Sequence, residues 1–216
     1  MELSERRAAL EKLHAEIKAC ERCDLCSTRT QAVPGEGPVN AQIMLVGEAP
    51  GQREDQLGRP FVGASGQWLT ELLGTAGLKR EDVYITNVVK SRPPGNRDPL
   101  PAEIEACRTW LEQQLALIQP KVIITLGRFS MAWFCGAGLK ISQVHGRARR
   151  CGDYVVMTMY HPAAGLRSPD VKRQIEEDFA KIPRLLAALE KEEAQPKAKD
   201  DRGSDEPPPP SQLSLF

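Results

Sequence analysis

The sequence predicts an α/β protein, with a mostly parallel β-sheet covered by helices on both faces. Two observations carry that prediction. Four short runs rich in Val and Ile, Gln42–Gly47, Asp82–Val89, Lys121–Gly127 and Val155–Tyr160, have strand length, and Gly or Pro punctuation bounds several of them. Helically spaced apolar residues fill the segments between them, and nearly continuous apolar strands alternating with helices mark a sheet buried on both sides. In such a sheet, ligands sit beyond the carboxyl ends of the strands.

The elements follow in order. Leu3, Leu10, Leu13 and Ile17 fall near one face of a helix over residues 3–19. The cysteines Cys20, Cys23 and Cys26 come next, and then a Gly/Pro-rich loop over residues 33–38. Further helices are expected at about 66–76, 101–118 and 128–135, and a last one at about 170–190. The folded domain is therefore expected to span residues 1–190. From residue 191 large apolar residues almost vanish and four prolines run together, which predicts a disordered, partly extended linker over 191–211. Residues 212–216 are abruptly apolar again.

Composition sets the bounds. The 216 residues suffice for one well-buried domain and a tail, and 41% apolar with 27% charged residues is ordinary for a soluble globular chain. No run approaches the roughly 18–20 apolar residues of a membrane helix. The first residues lack a secretory apolar core, so a cytoplasmic location is expected. Net charge is zero. Residues 191–216 carry four basic and six acidic side chains, leaving the body at +2, too little to argue nucleic-acid binding. Positive charge must then act locally, through Lys90, Arg92 and Arg97 or through Arg147, Arg149 and Arg150. Six cysteines in a cytoplasmic chain argue against structural disulfides, and Cys135 and Cys151 are expected to be reduced and buried. Three cysteines within seven residues point instead to a metal or cluster.

Chemistry-bearing residues recur at the strand ends. The first strand ends in Gly47-Glu48-Ala49-Pro50-Gly51, followed by Glu54, Asp55 and Gly58–Gly63. Glycines there let a ligand approach the backbone, and Glu48 can project into the cleft. The second strand ends at Asn87, whose amide offers a donor and an acceptor to a base edge with the same pair. The fourth ends in Tyr160-His161-Pro162, which brings His161 to the same rim. Each motif alone is often only structural; together on successive strand ends they are hard to dismiss.

In these segments the chain resembles the family 4 uracil-DNA glycosylases. The resemblance runs from about Cys20 to Leu189 and is carried by the Cys20/Cys23 pair, GEAPG at 47–51, GRPFVGASG at 58–66, YITNVVK at 84–90, RPPGNR at 92–97 and HPAA at 161–164. It implies a three-layer α/β/α sandwich around a four-stranded parallel sheet. It also implies hydrolysis of the N-glycosidic bond of deoxyuridine in DNA, which requires the base to leave the helix. By the same resemblance, Gly47, Glu48 and Ala49 line the uracil pocket, Glu48 positions water or stabilises the positive sugar, and Phe61 stacks on the base. Asn87 reads N3–H and O4, and His161 hydrogen-bonds O2 as charge builds there. Leu166 is a candidate wedge in the emptied stack, with Arg167 on phosphate. Gly165 stands where a larger apolar residue is expected, which points to an altered wedge. Lys90, set among arginines, is expected on phosphate or the cluster loop rather than as a Schiff-base nucleophile.

The resemblance further implies a 4Fe–4S cluster held by four cysteines. Cys20 and Cys23 match the first pair and Cys107 the fourth ligand, but Ser91 occupies the third position. Cluster irons want thiolates. Ser91 could ligate through oxygen, Cys26 could swing in, or the position could stay open. A zinc ribbon would need a second ligand pair that is missing. The cluster's implied role is structural, tying the N-terminal helix to the Arg92–Arg97 loop.

At the end of the chain, Gln212, Leu213, Ser214, Leu215 and Phe216 resemble the bacterial sliding-clamp-binding pentapeptide, with Leu215 and Phe216 as anchors. A tether of about 20 residues would let the catalytic domain search DNA near the clamp. The expected enzyme is thus a bacterial, monofunctional DNA glycosylase, acting as a monomer at the nucleoid and making no membrane contact. Two other readings compete. One is a non-catalytic or covalently capturing uracil-DNA binder. In that relative an inserted basic loop carries an extra histidine after the Asn strand, and Ser91–Pro99 has none. The other is an iron–sulfur sensor at the clamp.

Overall fold

A computed structural model describes residues 1–194. The expected clamp peptide and all but the first four residues of the expected linker lie outside that range.

Five strands form one sheet: β1 (Ile43–Gly47), β2 (Tyr84–Asn87), β3 (Val122–Leu126), β4 (Arg147–Cys151) and β5 (Tyr154–Met159), in the order β2-β1-β3-β5-β4. The four expected strands run parallel, with Leu45 opposite both Ile85 and Ile124, and Ile124 opposite Met157. Every residue of β1, β2 and β3 is buried, as strands covered on both faces require.

Side-chain alternation divides the core. On one face Ile43, Leu45, Ile85, Ile124 and Met157 pack against α3 (Ala64–Thr75), α8 (Pro169–Phe179) and α9 (Ile182–Ala194), through Trp68, Leu69, Leu72, Ile175, Phe179 and Leu185. On the other, Met44, Val46, Tyr84, Ile123 and Val156 meet α1 (Leu3–Lys18) and α4 (Pro101–Ile118), through Leu13, Ile17, Trp110, Leu111 and Leu115. The protein is therefore a three-layer α/β/α sandwich. Among the described residues, no helix is long and apolar enough to cross a membrane.

Three expectations need correction. The sheet has five strands rather than four, the fifth being β4, which pairs antiparallel with β5. Arginines at 147, 149 and 150 conceal this edge strand, although Ala148 and Cys151 are buried in it. The Gly152-Asp153 turn after it, with Gly152 at φ 58°, is a two-residue hairpin loop that could have revealed it. The same hairpin carries Cys151 to the end of α5 (Arg128–Cys135), where Cys151 and Cys135 form a disulfide across a Cα separation of 5.2 Å rather than staying reduced. Finally, the helix expected at 170–190 is two helices, α8 and α9, and the second runs four residues into the expected linker.

The sheet order reverses at β1, which is paired with β2 on one side and β3 on the other. A crevice at the carboxyl ends of these strands is the fold's natural ligand site.

Candidate active site

A cavity of about 620 Å³ opens there. Glu48, Ala49, Pro50 and Gly51 line it after β1, Asn87 at the end of β2, Gly127 and Arg128 after β3, and Tyr160 and His161 after β5. The segments α2 (Gln52–Leu57) and α7 (Pro162–Gly165) add Glu54, Ala163 and Ala164, and Phe61 comes from the turn before α3. Except for Gly47, Leu166 and Lys90, the residues expected at the base pocket and at its rim all line this cavity.

Asn87 is only 1% exposed, and its Oδ1 atom has no hydrogen-bond partner. A buried, unpaired amide oxygen costs free energy unless something donates to it. Gly47 lies directly opposite Asn87 in the sheet, and a Cβ there would overlap both the Asn87 amide and the edge of the Phe61 ring. Gly47 thus stays below the cavity, where its missing side chain keeps the floor open.

Phe61 adopts a left-handed backbone conformation at φ 49°, unusual for a bulky residue. Its neighbours hold it there. Arg80 donates to the carbonyls of Phe61 at 3.1 Å and Pro60 at 2.5 Å. The buried carboxylate of Glu54 accepts from the amides of Val62 and Gly63, both at 2.8 Å. The ring lies against His161, with centroids 5.6 Å apart and planes 27° apart.

His161 caps α7: its Nδ1 accepts a hydrogen bond from the Ala163 amide at 3.1 Å. An accepting Nδ1 in a neutral ring leaves the proton on Nε2. Burial pushes the His161 pKa down to about 4, against an opposing pull from Glu54, so the ring is neutral at physiological pH. The Glu48 carboxyl moves the other way. Burial raises it to about 6 and the Asp98 carboxylate adds to the rise, while Arg128 opposes it.

Lys90 does not reach phosphate. It is 2% exposed, and its ammonium donates to Thr86 Oγ1, the Asn87 carbonyl and Gln114 Oε1, each at 2.7 Å. Burial lowers its pKa to about 7. Gln114 in turn donates to the Pro34 carbonyl at 2.8 Å and the Tyr84 hydroxyl at 2.9 Å, and that hydroxyl shares a 2.7 Å hydrogen bond with His14 Nε2. The expected surface contact is therefore an internal polar network beneath Asn87, invisible in the sequence because flanking arginines suggested a solvated loop.

Leu166 is 50% exposed and stands outside the cavity lining, while Arg167 joins the lining. Gly165 is small because a Cβ would come within 2.5 Å of the Trp68 ring. Sequence reasoning quoted Glu54 without giving it a role, and it missed Arg128. Arg128 lies two residues past the end of β3, so the strand-end rule that singled out Asn87 and His161 could have singled it out too.

A second group of residues lies between the segment that follows α1 and the middle of α4. Cys107 is buried there, and Cys20, Cys23 and Cys26 are half-buried. Burial raises the Cys107 and Cys23 thiols; Cys20 and Cys23 add to the rise at Cys107, and Cys20, Glu103 and Cys26 to that at Cys23. The Trp110 indole N–H donates to Cys20 Sγ at 3.3 Å and the Lys90 amide to Cys107 Sγ at 3.5 Å. Buried Ser91 accepts from the Arg29 guanidinium at 3.0 Å. Among the described residues, no three His, Cys, Asp or Glu side chains converge closely enough to hold a metal ion.

The model of the uracil DNA glycosylase superfamily matches residues 34–182, the segment that builds the sheet and the cavity. The chain belongs to this superfamily. It is 49% identical over 185 residues to a type-4 uracil-DNA glycosylase of Archaeoglobus fulgidus, covering 82% of this chain and 93% of that one. A type-4 uracil-DNA glycosylase of Thermotoga maritima is 43% identical, with 84% and 96% covered. A type-5 uracil-DNA glycosylase of Pyrobaculum aerophilum is 33% identical, with 80% and 82% covered.

Proposed function

We propose that this protein is a uracil-DNA glycosylase of the type-4 kind, releasing uracil from DNA by hydrolysis and leaving an abasic site. The observation that carries the reading is the unpartnered Oδ1 of Asn87 at the cavity floor. Uracil N3–H is the donor it lacks, and the amide's N–H group then meets O4. Cytosine presents the reverse pattern and would leave both sites unpaired, a penalty large enough to discriminate.

Phe61 supplies the stacking face. As the glycosidic bond breaks, negative charge gathers on uracil O2, and His161 Nε2–H is a neutral donor aimed by its Nδ1 contact. Glu48, ionised above a pH of about 6, orients the attacking water or stabilises the positive sugar. Lys90 supplies no nucleophile: its ammonium is enclosed beneath Asn87, which supports direct hydrolysis over a Schiff base. The covalent-capture alternative gains no support, since the chain's three histidines are His14, His145 and His161, none in the loop after β2. Replacing His161 with Ala should slow uracil release by about 10²–10³-fold, and Asn87→Ala should also cut it strongly. Both should leave binding to an abasic-site duplex intact. Wild-type release rates in both variants would refute the pocket assignment.

An iron–sulfur cluster in this chain would be held by Cys20, Cys23 and Cys107. The donor chemistry fits, because cluster irons take thiolates and the Cys20 and Cys107 sulfurs already receive N–H groups. Such a cluster would tie the segment after α1 to α4 and supply no step of the hydrolysis. Ser91 fits less well, since its hydroxyl is engaged by Arg29 and a hydroxyl is a poor ligand for soft iron sites. Ser91→Cys should therefore raise the iron and sulfide retained per chain after aerobic purification. Equal retention in both proteins would mean that Ser91 is no defect.

The C-terminal pentapeptide, Gln212 to Phe216, carries the sequence of a sliding-clamp ligand, with Leu215 and Phe216 as the apolar anchors. Deleting residues 212–216 should abolish binding to a bacterial sliding clamp while leaving uracil release from short oligonucleotides unchanged. Undiminished clamp binding would overturn this assignment.

A further inference from the structure

Three arginines line the mouth of the cavity, Arg97, Arg128 and Arg167, and their commitments differ. The Arg97 guanidinium grips the Glu103 carboxylate at 2.6 and 2.9 Å and also donates to the Asp98 carbonyl at 2.9 Å, so it is locked into the loop that carries it. Arg167 is exposed and has no side-chain partner among the described residues. Arg128 is ion-paired with Asp98 and otherwise lies over the Phe129 ring, 4.6 Å from its centroid. Both members of that pair are open to solvent, at 62% and 63% exposure.

The pair joins two segments that follow different strands, the loop after β2 and the start of α5 after β3. Both charges are felt at Glu48, inside the cavity. An exposed ion pair is weak and is screened by salt. A DNA phosphate competing for the same guanidinium adds the entropy of released counterions, which a fixed carboxylate does not offer. Asp98 is therefore a partner that DNA can displace, whereas Glu103 on Arg97 is buried and bidentate.

We propose that Asp98 is a displaceable latch on Arg128: it holds the guanidinium of this lining residue in the free protein, and a DNA phosphate beside the extruded nucleotide takes its place. The inference rests on the uracil-DNA reading and adds to it a phosphate ligand and a built-in competitor for that ligand. The latch lowers affinity for DNA in general and opens only where a phosphate reaches Arg128.

The test is a double-mutant cycle on the full chain, with D98N, R128Q and the combined variant titrated by fluorescence anisotropy against a duplex carrying an abasic-site analogue. D98N should bind about two- to fivefold more tightly than the wild type, the range expected for freeing an exposed ion-paired cation. R128Q should bind more weakly, with a slope of log affinity against log salt shallower by about 0.9. In the R128Q background D98N should change nothing. No tightening by D98N would overturn the latch, and equal tightening with and without Arg128 would reduce Asp98 to a simple repulsive charge. Uracil release is measured on the same samples. A wild type that frees no uracil refutes the enzymatic reading, whereas one that does so while the cycle fails refutes the latch alone.

Discussion

The candidate site depends on one buried amine, that of Lys90. Lys90 puts an amino group where only 2% of the residue meets solvent, and no carboxylate pairs with it: its recorded partners are Thr86, the Asn87 carbonyl and Gln114. Burial lowers its pKa to about 7, and an amine in that position is tolerable only when its N–H donors find acceptors. Three hydrogen bonds of 2.7 Å meet the demand and fix the end of β2 from beneath. Gln114 extends the constraint through Pro34 and Tyr84 to His14, so α1, α4, the Gly/Pro loop and β2 share one polar core inside an otherwise apolar layer. The Asn87 side chain faces the cavity above this network, while its backbone carbonyl is held from below by Lys90.

The opposite wall is rigid for a different reason. Phe61 holds a strained backbone conformation because Arg80 and Glu54 bind the carbonyls and amides on either side of it. His161 is aimed by its own helix cap. Each group that would touch the base is thus set before the base arrives, by contacts that do not involve the base. Preorganisation of this kind is what makes hydrogen-bond donors effective against charge that appears only in the transition state. The cavity mouth is different, being lined by exposed arginines whose partners are solvent, a neighbouring carboxylate or nothing.

Much of this was legible in the sequence. The four parallel strands, their buried character and the clustering of Glu48, Asn87 and His161 follow from apolar runs and the residues that end them, since strand ends converge in any parallel sheet. What stayed hidden was set by tertiary contacts. Lys90 reads as a surface cation because its neighbours are Arg92 and Arg97, and only the fold reveals the acceptors around it. β4 reads as a basic patch because an edge strand needs few buried residues to hold its place, here Ala148 and Cys151. Cys135 and Cys151 meet only because the hairpin returns Cys151 to the end of α5. Gly165 looked like a lost wedge until Trp68 occupied the space a side chain would need.

The most direct test of the central claim is Gln114→Leu, which removes an acceptor from Lys90 and a donor from Pro34 and Tyr84 without touching the cavity. Urea unfolding should show a loss of about 1–3 kcal/mol, the cost of leaving a buried polar group unpaired, and uracil release by the folded variant should fall with it. A variant as stable and as active as the wild type would show that the network beneath Asn87 does not hold the site.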